Sequence, residues 1–135
     1  MIEIQITINA PIAEVWEKWI STKGIQQWSF ASDDWAAEGI ENDVREGGNF
    51  KNRNFAKDGS AEFMFEGTYI EVIPQQKLAY ALGDGRKVEV DFIQTANGVT
   101  IHQQFEPETA NPEEMQRQGW QAYLDNFKKY VESAE

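Results

Sequence analysis

Few side chains in this sequence are suited to chemistry, and their types limit what it could be. There is a single histidine, His102, and no cysteine. Thiolate chemistry, disulfides and a structural zinc site of the usual composition are therefore excluded. Val99, Ile101, Gln103 and Phe105 alternate with Thr100, His102 and Gln104, which turns His102 away from the apolar face of its strand. A Ser-His-Asp hydrolase would need this histidine as base, and no Gly-x-Ser-x-Gly elbow accompanies it. Asp33, Asp34, Asp43 and Glu46 offer carboxylates for acid–base work, and Asp33 and Asp34 for a hard cation. They lack calcium-loop spacing, and in an acidic chain they read as solvated charge. Gly47-Gly48 is followed by neither Lys-Ser/Thr nor a helix, so it reads as a turn and not a phosphate loop. Arg53 lies among Lys51, Asn52 and Asn54. Turned inward, it would meet a ligand carboxylate or one of Glu62, Glu66 and Glu89; turned outward, it is an edge-strand charge. The sequence assigns no catalytic residue, no metal ligand and no cofactor.

What the chain holds in quantity is aromatic: five Trp, four Tyr and eight Phe in 135 residues. These rings come from every segment and must fill a core or line a cavity, since ligand pockets are mostly apolar and aromatic with a few polar groups. The length suits one domain, residues 1–135, with a core of its own. The net charge of −11 repels phosphate backbones and anionic lipid, so neither nucleic acid nor membrane is an expected partner. No secretory h-region follows Met1 and no apolar run reaches membrane-spanning length, which makes a cytoplasmic protein the default.

The segments that must position these rings are legible from periodicity. Met115, Trp120, Tyr123, Leu124, Phe127, Tyr130 and Val131 recur in steps of three and four, mostly on one helical face. Asn111, Pro112, Glu113 and Glu114 suit the start of that helix. The spacing predicts a helix over about 112–131, roughly 30 Å at 1.5 Å per residue. Such an aromatic face needs a wide surface, and only a sheet supplies one. Gly119 inside the helix costs about 1 kcal/mol against Ala. It marks either the close approach of a backbone or ligand, or an exposed position that tolerates glycine.

Ahead of this helix, residues 2–9 alternate as a half-buried strand, and Pro11 opens a helix with Ile12, Val15, Trp16, Trp19 and Ile20 on one side. A short second helix is predicted over 25–28. Residues 30–41 read as an irregular loop leading into a strand around 42–45. Further strands follow over 50–55, 62–73, 77–82, 86–94 and 99–105, separated by turns such as Asp58-Gly59 and Asn97-Gly98. Gly67 suggests a bulge that switches faces within 62–73. The order is one strand, two helices, a run of hairpin-linked strands and a long helix, which defines an α+β class with an antiparallel sheet covered on one face.

Several segments resemble the SRPBCC (START-like) superfamily. Ala10-Pro11 with Val15-Trp16 looks like its opening. Trp28, Asp34-Trp35, Asn42-Asp43-Val44-Arg45 with Gly47-Gly48 and Phe50, Asp58-Gly59-Ser60, Gly67-Thr68-Tyr69-Ile70 with Val72-Ile73-Pro74, and Phe105-Glu106-Pro107-Glu108 resemble its branch related to activators of heat-shock-protein-90 ATPase. So does Gly119-Trp120 with Leu124, Phe127 and Tyr130. The resemblance implies a helix-grip fold, a curved antiparallel sheet wrapped around the long C-terminal helix with a cavity between them. It implies a small hydrophobic ligand, aromatic or lipid-like, and leaves open a cyclase- or hydrolase-type enzyme and a chaperone contact. On this basis the cavity is expected to be lined by Trp19, Trp28, Trp35, Arg53, Phe63, Phe65, Tyr69, Tyr80, Trp120, Tyr123 and Leu124. An enzyme would draw on Arg53, Tyr69 and Glu66. Trp28, Trp35 and Trp120 are expected to meet near the entrance, with residues 29–34 as a movable lid.

Overall fold

Alternation and helical periodicity become seven strands and three helices in the computed structural model, which describes residues 1–133. Ala134 and Glu135, which the sequence reading assigns to the same domain, lie outside the described residues. Strand β1 (Ile2–Ile8) buries Ile2, Ile4 and Ile8 and leads into helices α1 (Ile12–Ile20) and α2 (Thr22–Trp28). The Ser21 hydroxyl accepts from the Gly24 amide at 3.0 Å and caps α2, so α2 starts earlier than its apolar residues suggest. Strands β2 (Trp35–Asn42), β3 (Asn49–Ala56), β4 (Glu62–Ile73), β5 (Lys77–Leu82), β6 (Lys87–Thr95) and β7 (Gly98–Phe105) follow, then helix α3 (Glu113–Ser133).

All strand pairs are antiparallel, in the order β1-β7-β6-β5-β4-β3-β2. The first strand therefore closes onto the last and the sheet curls around α3. This is the helix-grip architecture, with α1 and α2 placed between the two ends of the curl.

Helix α3 is not buried evenly. Leu124, Phe127 and Val131 are fully enclosed, whereas Trp120 and Tyr123 are only half-buried. The enclosed half meets the densest part of the core. Phe127 packs edge-on against Trp19 and Trp28, with ring centroids 5.0 Å and 4.8 Å away, and Trp19 and Trp16 pack edge-on against Phe92 of β6. Polar contacts fix the helix along β1. Gln121 Nε2 and Lys128 Nζ donate to the carbonyls of Gln5 and Thr7, at 3.2 Å and 2.6 Å. Met115 does not join the apolar face, being 59% exposed. The buried residue of the first turns is Gln116, whose side chain accepts from the Glu108 amide and donates to the carbonyls of Glu108 and Asn111. It thus ties the preceding loop to the helix.

Three local expectations are corrected. Most of the segment 30–41 is strand β2 rather than loop, because β3 supplies its hydrogen-bond partners; no alternation within Ala36-Ala37-Glu38-Gly39 announces it. Residues Asp43 to Gly48, expected to begin with a strand, form the turn between β2 and β3. The bulge in β4 falls between Tyr69 and Glu71, not at Gly67, where the register is continuous with both neighbours. Gly67 answers a different need: a Cβ there would stand 2.4 Å from the Ala81 carbonyl oxygen and 2.7 Å from the Phe50 ring. The glycine makes room for that ring against β4.

Gly67→Ala is accordingly expected to lower stability by about 1–3 kcal/mol through overpacking, measured by urea unfolding; an unchanged midpoint would show that Phe50 yields freely. Phe127→Ala is expected to cost about 3–5 kcal/mol, as for a deleted core aromatic. A loss below about 1 kcal/mol would contradict the position of Phe127 at the centre of the packed half.

Candidate functional site

The packed core occupies one end of the curl; at the other end the sheet and α3 separate. Between them lies a cavity of about 630 Å³, within the usual range of small-molecule sites. Strand parity decides what lines it. On β3, Phe50, Asn52 and Asn54 point inward, opposite Gly67, Phe65 and Phe63 of β4. Tyr69 pairs with Tyr80 of β5, and Gln103 occupies an inward position on β7. Trp19, Ile25 and Trp28 close the side formed by α1 and α2, and Gly119, Trp120, Tyr123 and Leu124 form the wall of α3. Trp120 is held by stacking on Phe105, with centroids 4.1 Å apart and planes at 10°, and it meets Phe65 edge-on.

The polar groups of this wall are hydrogen-bonded to one another. Tyr69 donates to Asn42 Oδ1 at 2.6 Å, and Asn42 Nδ2 donates to the Ile20 carbonyl at 2.7 Å, joining β4 to the end of α1. Tyr123 donates to Asn54 Oδ1 at 2.9 Å, and Asn54 Nδ2 donates to Asn52 Oδ1 at 2.6 Å. Gln103 Nε2 donates to the Tyr80 hydroxyl at 3.4 Å. Burial pushes all three phenols up from their ordinary value, because the phenolate loses its water. Tyr123 is raised to about 12. Tyr69 and Tyr80 are raised as well; Asn42 partly offsets the effect at Tyr69, and Tyr80 is raised further by the nearby Tyr69. All three stay neutral hydroxyls at physiological pH. The charged lining residues, Glu41, Glu66, Asp84 and Arg86, stand at the rim, where Arg86 Nε is already bound to Asp84 at 2.8 Å.

Of the residues expected at the cavity, Trp19, Trp28, Phe63, Phe65, Tyr69, Tyr80, Trp120, Tyr123 and Leu124 are brought together on its wall, and Trp35 and Arg53 are not. Arg53 alternates with the inward Asn52 and Asn54, so its side chain lies on the outer face. There it bonds to Glu38 and Glu62 and covers the Phe55 ring. Trp35 begins β2 opposite Ala56, beyond the end of the cavity, and packs on Phe63 with centroids 5.9 Å apart. Trp28, Trp35 and Trp120 therefore do not converge on the entrance. Trp28 is instead buried, with Nε1 donating to the Lys18 carbonyl at 3.0 Å. The loop after it is tied to α3 by Asn126, which donates to the carbonyls of Trp28 and Phe30; these bonds oppose the motion expected of a lid. Arg53, Tyr69 and Glu66 are not assembled as a catalytic group either: they lie on the outer face, inside the cavity and at the rim. Sequence reasoning missed Asn42, Asn52 and Gln103 as wall residues, and Asn54 as the buried partner behind them. Their signal was a polar side chain at an inward strand position, most visible for Gln103 between Ile101 and Phe105.

Fold and site together define a cavity-bearing helix-grip protein. The chain belongs to the Activator of Hsp90 ATPase homolog 1-like protein family, whose model matches residues 9–132. Among solved structures it is similar to the AHSA1-like protein from Aeromonas hydrophila, at 40% identity over 98% of this chain and 92% of that one, with a TM-score of 0.93. It is also similar to Chr148 from Cytophaga hutchinsonii, at 40% identity over the same shares, with a TM-score of 0.84. CV1439 from Chromobacterium violaceum shares the fold at 22% identity, covering 97% of this chain and 96% of that one, with a TM-score of 0.85. No curated protein matches the chain. Among the described residues no helix is long and apolar enough to cross a membrane.

The raised tyrosines make alkaline stability a test of the site. An acid whose pKa is raised by folding contributes stability below its unfolded value that is lost as pH rises toward the folded one. Above about pH 10, stability is expected to fall, by up to about 1.4 kcal/mol per pH unit for each buried tyrosine. Tyr80→Phe should flatten this slope in urea melts taken across the range. A slope identical to that of the parent would show that Tyr80 ionises as freely folded as unfolded.

Proposed function

We propose that this protein binds a small, largely apolar molecule, aromatic or lipid-like, in the cavity between the sheet and α3. The observation that carries the reading is the distribution of side chains around the 630 Å³ space: rings from α1, α2, α3, β3, β4 and β5 inside, and every charged group at the rim. Burial against such a wall supplies binding energy, each enclosed ring contributing about 1.5–3 kcal/mol.

Gly119 supports the same reading. It lines the cavity, is exposed, and has nothing within 4 Å of where a Cβ would stand. No backbone packs there, so helix packing does not require the glycine, whose helical cost is about 1 kcal/mol. An open entrance accounts for it. A chaperone-regulating role would draw on the family description. The exposed large apolar residues Met1, Phe63, Met64, Ile70, Ile93 and Met115 are distributed over the N-terminus, β4, β6 and α3.

Titration with small apolar aromatic compounds should change tryptophan fluorescence saturably, since Trp19, Trp28 and Trp120 form part of the wall. Native mass spectrometry of the freshly purified protein should reveal a bound small molecule. Gly119→Leu is expected to move two quantities in opposite directions. Stability should rise by up to about 1 kcal/mol from helix propensity, while affinity falls by about tenfold or more, equivalent to about 1.4 kcal/mol. If no apolar compound gives a saturable response, the binding reading is wrong; undiminished affinity in the Leu variant would place the entrance elsewhere.

A further inference from the structure

The polar atoms of the cavity wall carry an inference about the kind of molecule it admits, resting on the reading that the cavity binds a ligand. Asn52 and Gln103 are each 5% exposed and line the cavity from β3 and β7, strands well separated in the sheet order. Each uses only part of its hydrogen-bonding capacity within the protein. Asn52 Oδ1 accepts from Asn54, while no partner among the described residues takes up Asn52 Nδ2. Gln103 Nε2 donates to Tyr80, while Gln103 Oε1 has no donor among the described residues. No buried side-chain nitrogen or oxygen among the described residues is sealed without a partner, so these two atoms open into the cavity. The wall thus presents a neutral donor on one side and a neutral acceptor on another, set among rings.

The interior has no counterpart for an ionised group. The side chains at depth are aromatic, aliphatic, amide or, at Ser29, hydroxyl, and the tyrosines are neutral. The one cation of the lining among the described residues, Arg86, is paired with Asp84 at a rim that also holds Glu41 and Glu66. An anion entering would approach a protein of net charge −11, past Glu66 and the ion pairs Glu41–Lys51 and Asp84–Arg86, and then lose its water with no cation at depth among the described residues to replace it, which is strongly unfavourable. A neutral hydroxyl, carbonyl or amide would instead find a partner, and without one the amide atoms would be left unpaired beneath an apolar ligand.

We infer that the cavity selects uncharged amphiphiles, apolar molecules carrying neutral hydrogen-bonding groups that Asn52 and Gln103 read, and rejects carboxylates of the same shape. Three probes of one shape and different polar character test this: para-phenylphenol, biphenyl and para-phenylbenzoate, titrated at neutral pH into the intact protein. Binding is followed by NMR, including the side-chain amide signals of Asn52 and Gln103. The phenol should bind at least tenfold more tightly than the carboxylate and several-fold more tightly than biphenyl, and should shift at least one of the two amide signals. Asn52→Leu and Gln103→Leu, checked for folding by thermal melts, should together abolish the preference of the phenol over biphenyl. Should a variant fail to fold, the ranking of the probes and the amide shifts in the parent protein still decide. Equal or tighter binding of para-phenylbenzoate, with Arg86 signals shifting, would overturn the inference and make Arg86 an anion site. Binding of biphenyl as tight as that of the phenol would overturn it while leaving the cavity reading intact. If none of the probes binds, both fall.

Discussion

The contact of Phe127 with Trp19 and Trp28 is the point on which the rest of the molecule depends. One residue of α3 there meets α1 and α2, and through Trp19 it reaches Phe92 in the sheet. Burial of rings at this junction sets the angle at which the long helix leaves the sheet. Leu124 and Val131 extend the dry contact by a turn on either side. Because the helix is anchored at this end and tied to β1 by Gln121 and Lys128, its first turns stand away from β3, β4 and β5. The cavity is the geometric remainder of a straight helix inside a curled sheet.

That remainder would be unstable if it were lined at random. An apolar void forfeits dispersion contacts, and a void edged with unsatisfied polar groups costs more. The wall meets this with rings that brace one another, as Phe50 does against Phe65, Tyr69 and Tyr80. It adds polar pairs that cross between elements, as Tyr123 does to Asn54 and Tyr69 to Asn42. Burial, and not these bonds, keeps the tyrosines neutral hydroxyls; the bonds to Asn42 and Gln103 work slightly against it at Tyr69 and Tyr80.

Much of the fold was legible because its elements carry strong periodic patterns: the isoleucines of β1, the tryptophans of α1, the alternation of β7 and the aromatic stripe of α3. Strand β2 was not, because its extended form comes from pairing with β3 and not from any apolar alternation of its own. The site was legible in its aromatic residues, which have few alternatives to burial. Its polar members were not: Asn52, like the buried Asn54 that bonds to it, looks like an ordinary strand residue until the curl of the sheet decides which parity is enclosed. Arg53 and Trp35 were misplaced for related reasons. The first depends on parity, and the second on how far along β2 the cavity extends.

The way the curled sheet ends at its two margins has a consequence for how copies of the protein meet. An open sheet exposes a row of backbone groups at each margin that invites a strand from another molecule. On the β1 side, side chains of α3 occupy backbone carbonyls that an incoming strand would need. On the β2 side, the register breaks between Glu38 and Glu41, with Gly39 at a φ of 63° and acidic side chains flanking the break. Both margins thus oppose intermolecular pairing, one by occupation and the other by distortion and charge, and a fold in which seven of the ten described elements are strands carries features that work against growth into a fibre.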